Sequence, residues 1–441
     1  MLSRKITTEL GPHVMSSTSL PLLALGSPSE NSALITNDAV VFGILMGTLS
    51  LIFWSSSHPK FKRFYTYVPA LLLCYFIPGL LGTLGVISGE RSQLYFVASR
   101  YLLPTSLVLL TLSLDLGAIR RLGSKIIIMF LAGTLGVLIG GPLSILIVST
   151  LSPETVGGVG PDAVWRGMTT VAGSWIGGGA NQTAMKEVFD VGDQVFSAWV
   201  AVDVVVANIW MACLLFGAGR ADQIDAKTGA DTLAIEHLKA KVERYQSKHL
   251  RIPSLTDVFL ILGLGFTVTA MGHLGADIMA PYIEDHLPML ARFSLTSKFF
   301  WLIVISTALG IALSMTRART LEGAGASKIG SVFLYILVAT IGMKMNLMAI
   351  FERPGIFAVG LIWIMIHAMI MLTVGKLIKA PLFFVAVGSQ ANIGGAASAP
   401  VVASAFHPML APVGVMMAVL GYAIGTYAAW ICGVIMQGVA P

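Results

Sequence analysis

Charge is what this chain has least of. Only 11% of its 441 residues are Asp, Glu, Lys or Arg, where an ordinary globular domain carries about 25%, too few to coat soluble domains of this combined length. Cysteine is as sparse. Cys74, Cys213 and Cys432 all lie in apolar stretches, which indicates neither a disulfide framework nor a thiolate zinc site. Several enzyme signatures are missing too: no G-x-x-x-x-G-K-[ST] loop for nucleotide phosphates, no H-E-x-x-H zinc pair and no G-x-S-x-G elbow. What is plentiful is apolar, 56% hydrophobic residues plus 46 glycines. The chain is a polytopic membrane protein by composition. Its net charge of +6 sits in short clusters between apolar runs, not in the basic stripe that nucleic acid requires.

A helix crosses ~30 Å of hydrocarbon with about 20 apolar residues, and twelve stretches meet or approach that length. The first six span about 38–55, 67–88, 92–116, 124–150, 163–189 and 195–218. The second six span about 255–280, 298–316, 327–350, 354–378, 381–406 and 411–438. Residues 1–36 read as an N-terminal tail, because the apolar patch from Leu20 to Leu25 is shorter than a usual signal-peptide core. Residues 219–254 form a polar cytoplasmic linker. In it Ile235, Leu238, Val242 and Tyr245 recur at helical spacing and outline a short amphipathic helix, either solvated or lying on the membrane surface.

The two groups repeat one another. Thr111-Leu-Ser-Leu-Asp115 matches Thr340-Ile-Gly-Met-Lys344, and Gly173-Ser174 with Ile176-Gly177-Gly178 matches Gly388-Ser389 with Ile393-Gly394-Gly395. Basic residues concentrate in short cytoplasmic loops, and with twelve full crossings they would fall on both sides. If segments five and eleven enter and leave on one side, 18 of the 28 basic residues share the cytoplasmic face, in clusters at 60–63, 120–125, 220–251, 317–328 and 376–379. Each half then holds an odd number of crossings, which turns the second half upside down and puts both termini outside. The expected fold is an all-α polytopic membrane protein of two inverted repeats, 37–218 and 255–441. Each has five transmembrane helices plus a glycine-rich re-entrant hairpin or broken helix, and the cell (inner) membrane is the expected location.

Irregular backbone at membrane depth is tolerated only when buried in protein or lining a water-filled cavity. The two glycine clusters are therefore the candidate substrate site: Ser174, Gly177, Gly178, Gly179, Asn181, Gln182 and Thr183 on the first hairpin, and Ser389, Gln390, Asn392, Gly394, Gly395 and Ser398 on the second. Broken half-helices aim free N–H groups at the membrane centre, beside which a small cation also fits.

These motifs and the five-plus-hairpin repeat resemble an uncharacterised bacterial and plant integral-membrane family related to sodium/glutamate symporters, within the cation:proton antiporter and anion transporter superfamily. The resemblance covers nearly the whole chain. It implies hairpin tips that bind substrate and sodium in a transport core, about 92–218 and 327–441, that slides against a dimeric scaffold, about 37–91 and 255–326. The homodimer rests on the resemblance alone.

An acid at the bilayer centre costs about 2.5–3.5 kcal/mol on insertion scales, which makes Asp203 a functional candidate. With Asn181 and Asn392 it forms the expected ligand set for a coupling Na⁺; alternatively Asp203 carries H⁺. Asp115 and Lys344 are pseudo-equivalent but fall toward opposite faces, so helix-end solvation or snorkelling is expected before an ion pair. Arg100 is expected to face protein or a polar cavity. His273, Asp277, Glu284, Asp285 and His286 read as a solvated loop, without metal-ligand spacing. The leading function is a secondary active transporter of a small polar or anionic organic solute, coupled to Na⁺ or H⁺, with lipid as surroundings and no cofactor. A passive channel and a membrane-embedded enzyme stay open.

Overall fold

The computed structural model describes residues 33–68, 70–89, 91–230, 235, 252–345, 354–407 and 410–441, and the regular elements among them are helices. Before the linker come α1 (Asp38–Ser57), α2 (Ala70–Thr83), α3 (Leu94–Leu112), α4 (Ser124–Ser149), α5 (Val164–Val188) and α6 (Asp193–Ala218). After it come α7 (Leu255–His286), α8 (Lys298–Ser314), α9 (Ala326–Gly342), α10 (Gly355–Leu377), α11 (Leu382–Ile393), α12 (Gly395–Phe406) and α13 (Ala411–Val439). Among the described residues seven helices are long and apolar enough to cross a membrane, and nine if two bent helix pairs each count as one span.

Burial sorts these helices into an interior and a rim. In α3, α4 and α13 61% of the apolar window is buried, against 22% in α1 and 28% in α7. The outward side of α7 shows Phe259, Leu260, Leu274 and Ile278, an apolar flank suited to hydrocarbon and too continuous for water. Inside, α13 lies along α5, and α4 along α10 and α11. Small residues allow these approaches; a β-carbon on Gly136 of α4 would come 3.0 Å from His367 of α10.

Several boundaries differ from the sequence reading. The 67–88 stretch contracts to α2 because the chain leaves the helix at Gly85, whose φ is +68°. The 327–350 stretch ends its helix at Gly342, and residues 346–350 lie outside the described residues. Helix α7 runs to His286, so His273, Asp277, Glu284, Asp285 and His286 belong to its last turns and not to a loop; Asp277 pairs with Lys298 at 2.8 Å. Of the amphipathic pattern in the linker only Ile235 is described, and it is helical.

Helix α5 breaks at Gly178, and the chain doubles back. Gly173 and Asn181 would be about 12 Å apart along a straight helix, yet a β-carbon on Gly173 would come within 2.5 Å of the Asn181 carbonyl oxygen. At the far ends Trp165 and Phe189 stack edge to face at 5.9 Å, and Arg166 donates to the Phe189 carbonyl. Helices α11 and α12 form a second such hairpin, closed by Phe383 against Phe406 at 5.4 Å.

Candidate functional site

The two hairpins meet at their glycines. Gly178 has φ 72° and ψ −174°, a region open essentially to glycine alone, and Gly395 has φ +55°. A β-carbon on Gly395 would lie 3.7 Å from the Cα of Gly178, so the tips lie side by side, within the reach of one methyl group. The returning arms start here, at Gly179 and Gly395, and their first N–H groups have no partner one turn earlier in the helix. Gly178, Gly179, Gly394 and Ser398 are partly exposed; the arms of the first hairpin and the incoming arm of the second are largely buried, while the returning arm of the second is open along Ala397, Val401 and Ala405. The first hairpin opens at its tip, and the second along its returning arm.

Asp203 of α6 clasps the first hairpin. Its Oδ1 accepts from Trp175 Nε1 on the incoming arm (2.6 Å), and its Oδ2 accepts from Gln182 Nε2 on the returning arm (2.8 Å). Ser174 faces the same carboxylate. Tyr75 of α2 donates to Gln182 Oε1 at 3.2 Å, which fixes the orientation of that amide. Thr183 donates to the Gly179 carbonyl one turn back (2.7 Å). Asp203 is therefore held by indole and amide donors, with the Ser174 hydroxyl beside them.

The second hairpin has a different partner set. Ser389 of α11 receives Trp210 Nε1 from α6 at 2.8 Å and lies 2.8 Å from His367 Nε2 of α10. His367 Nδ1 is 3.1 Å from the Gly133 carbonyl. Next in the chain, Gln390 Nε2 donates to Ser398 Oγ (2.7 Å) across the hairpin, and its Oε1 is buried without a partner among the described residues. Trp210 and Asp203 are seven residues apart on α6, two helical turns, so one face of α6 serves both hairpins.

Asn181 and Asn392 act as crosswise clasps. Asn181 Nδ2 donates to Gly177 O (2.8 Å), while Thr426 of α13 donates to its Oδ1 (2.6 Å). Asn392 Nδ2 donates to Phe130 O and Gly388 O, both at 2.9 Å, while Thr134 of α4 donates to its Oδ1 (2.8 Å). Each hairpin is thus tied to a long helix of the other half. Among the described residues Asp203, Asn181 and Asn392 have separate hydrogen-bond partners, and no group of three His, Cys, Asp or Glu suited to a metal occurs.

The remaining intramembrane charges find partners nearer the helix ends. Arg100, on a π-helical turn of α3, pairs with Glu187 at 3.0 Å, and Tyr95 donates to the other oxygen of that carboxylate. Lys186 pairs with Asp193 at 2.8 Å, and Lys344 lies 3.7 Å from the same acid. Asp115 pairs with Arg319 at 2.9 Å and caps the short helix Leu116–Leu122.

Sequence reading alone passed over Trp175, Trp210, His367, Tyr75, Thr134 and Thr426. Two of these carried a signal. Trp175 sits inside the first glycine motif, and His367 is an ionisable residue in the middle of an apolar 23-residue helix, where the argument applied to Asp203 holds equally. The others come from helices whose neighbours only the fold reveals.

Relatives place the chain. It is 23% identical over 360 residues to the uncharacterized membrane protein YjcL of Bacillus subtilis (strain 168), an overlap covering 78% of this chain and 83% of that one. The chain is a membrane protein with several apolar helices. Residues 43–439 match the family described as Protein of unknown function (DUF819), a match reaching from α1 to α13, and the chain belongs to that family.

Proposed function

We propose that this protein is a secondary active transporter of a small polar or anionic organic solute, coupled to Na⁺ or H⁺ and moving in an elevator-like way. The observation that carries this reading is the close approach of two broken-helix tips, Gly178 beside Gly395, where Gly178, Gly179, Gly394 and Ser398 are partly exposed. Unpaired N–H groups at helix starts favour anionic or polar groups, and paired broken helices are a recurrent way to build a midplane site in transporters. In this reading the hairpins are re-entrant, the halves are inverted repeats, and Asp203 carries the coupling charge. The kinship with sodium/glutamate symporters, the homodimer, the inner membrane and the external termini belong to the same proposal.

Ser389 at 2.8 Å from His367 is the spacing of a nucleophile and its base, and favours an enzyme. Against that role, both residues are fully buried and the second imidazole nitrogen faces a carbonyl, not an acid. Purified protein in liposomes loaded with one unlabelled solute at a time discriminates the readings. Counterflow of the labelled solute, driven without net gradient, supports a carrier; ion current that never saturates, or product formed without flux, overturns it.

A further inference from the structure

The groups around the second tip define one chain of hydrogen bonds. A carbonyl only accepts, so the contact with Gly133 puts a proton on His367 Nδ1. An indole only donates, so Trp210 Nε1 donates to Ser389 Oγ. With the ring neutral, Nε2 is an acceptor, and the Ser389 hydroxyl proton goes to it. Trp210 to Ser389 to His367 to Gly133 is then a chain in which every polar hydrogen has an acceptor. The groups facing the ring are Gly133 and Gly136 on α4, Ser389 on α11 and Trp210 on α6, none of them charged. Ser389, inside this chain, is followed in sequence by Gln390, whose Oε1 is buried and has no partner among the described residues.

We propose that His367 is a positioning residue for the second tip: as the neutral Nδ1–H tautomer it fixes the Ser389 hydroxyl, and through it the setting of Gln390, whose free carbonyl awaits a donor group of the bound solute. The proposal rests on the carrier reading for its purpose but not for its geometry. Because Gln390 spends its amide N–H on Ser398, this half of the site selects hydrogen-bond donors. The N–H groups of the returning arms complement acceptors. A solute with both kinds of group matches the two sets.

The test needs no solute. Protein labelled with ¹⁵N at histidine ring, tryptophan indole and glutamine amide nitrogens is placed in lipid nanodiscs and observed by NMR from about pH 8 to about pH 6. The signals are assigned by their loss in His367→Gln, Trp210→Phe and Gln390→Glu. His367 is expected neutral with its proton on Nδ1 throughout. A Gln side chain reaches where Nε2 was and an Asn side chain only where Nδ1 was. His367→Gln should therefore leave the Trp210 and Gln390 signals near their wild-type positions, and His367→Asn should move both. Ser389→Ala should move both while His367 keeps its Nδ1 proton, which preserves the test if His367→Asn does not fold. An Nε2–H tautomer, a charged ring at neutral pH, equal spectra for the Gln and Asn variants, or a Gln390 signal indifferent to Ser389→Ala would overturn the proposal. Absence of solute counterflow together with the predicted spectra would refute the carrier reading and leave the positioning role standing.

Discussion

Asp203 is the residue on which most hangs. Both of its oxygens are taken by N–H donors from opposite arms of one hairpin, so the charge and the clasp are a single feature. Replacing it with Asn turns one acceptor into a donor facing Trp175 or Gln182. A buried donor left without an acceptor costs about 1–3 kcal/mol, a loss thermal unfolding in detergent will register, and gradient-driven solute accumulation should disappear. Gly178→Ala forces a side chain into a backbone region that costs on the order of 1–3 kcal/mol, and should lower the melting temperature more than Gly43→Ala, where a β-carbon meets open space. Asp203 and the glycines were legible because they break an apolar pattern. Their partners were not: an indole or a threonine in an apolar helix looks like packing until the neighbouring helix is known.

At the scale of elements, the hairpins are fastened to α4, α6, α10 and α13, in part by side chains that cross between the halves. Asn181 with Thr426 and Asn392 with Thr134 are the plainest cases. A double-mutant cycle to Ala at either pair should give a coupling of about 0.5–1.5 kcal/mol, while a cycle between Asn181 and Thr134, which share no hydrogen bond, should give a value near zero. The linker contributes as well. Asp225, on the short helix Ala221–Thr228 outside the spans, accepts the Leu382 N–H at 2.8 Å and so caps the start of α11. Burial raises its pKa above the ordinary carboxylate value, the Leu382 N–H lowers it in part, and Asp222 adds to the rise. A raised folded-state pKa means stability that is complete below the unfolded value and lost as pH rises through the folded one. Thermal unfolding against pH should show that loss in the wild type, starting above about pH 4, and Asp225→Asn, which keeps an acceptor for Leu382, should lack it. Helix placement was readable from apolar length, because hydrocarbon thickness sets it. The ends of α2 and α7 were not, since Gly85 stops one early and polar residues extend the other beyond the apolar run.

For the whole molecule, two short glycine motifs 215–217 residues apart in the chain come side by side at Gly178 and Gly395. Their likeness was visible in the sequence; that their tips lie side by side depends on packing every helix between them. Alternating access at these tips is the central claim, and Ala397 offers the handle because it is exposed beside Gly395. In a Cys213→Ser background, where Cys74 and Cys432 are buried, Ala397→Cys can be challenged with a membrane-impermeant maleimide in sealed vesicles. The account predicts reaction from both faces, with each rate slowed by the ion gradient that favours the opposite one. Reaction from one face alone, or from both at rates that no gradient alters, would contradict it.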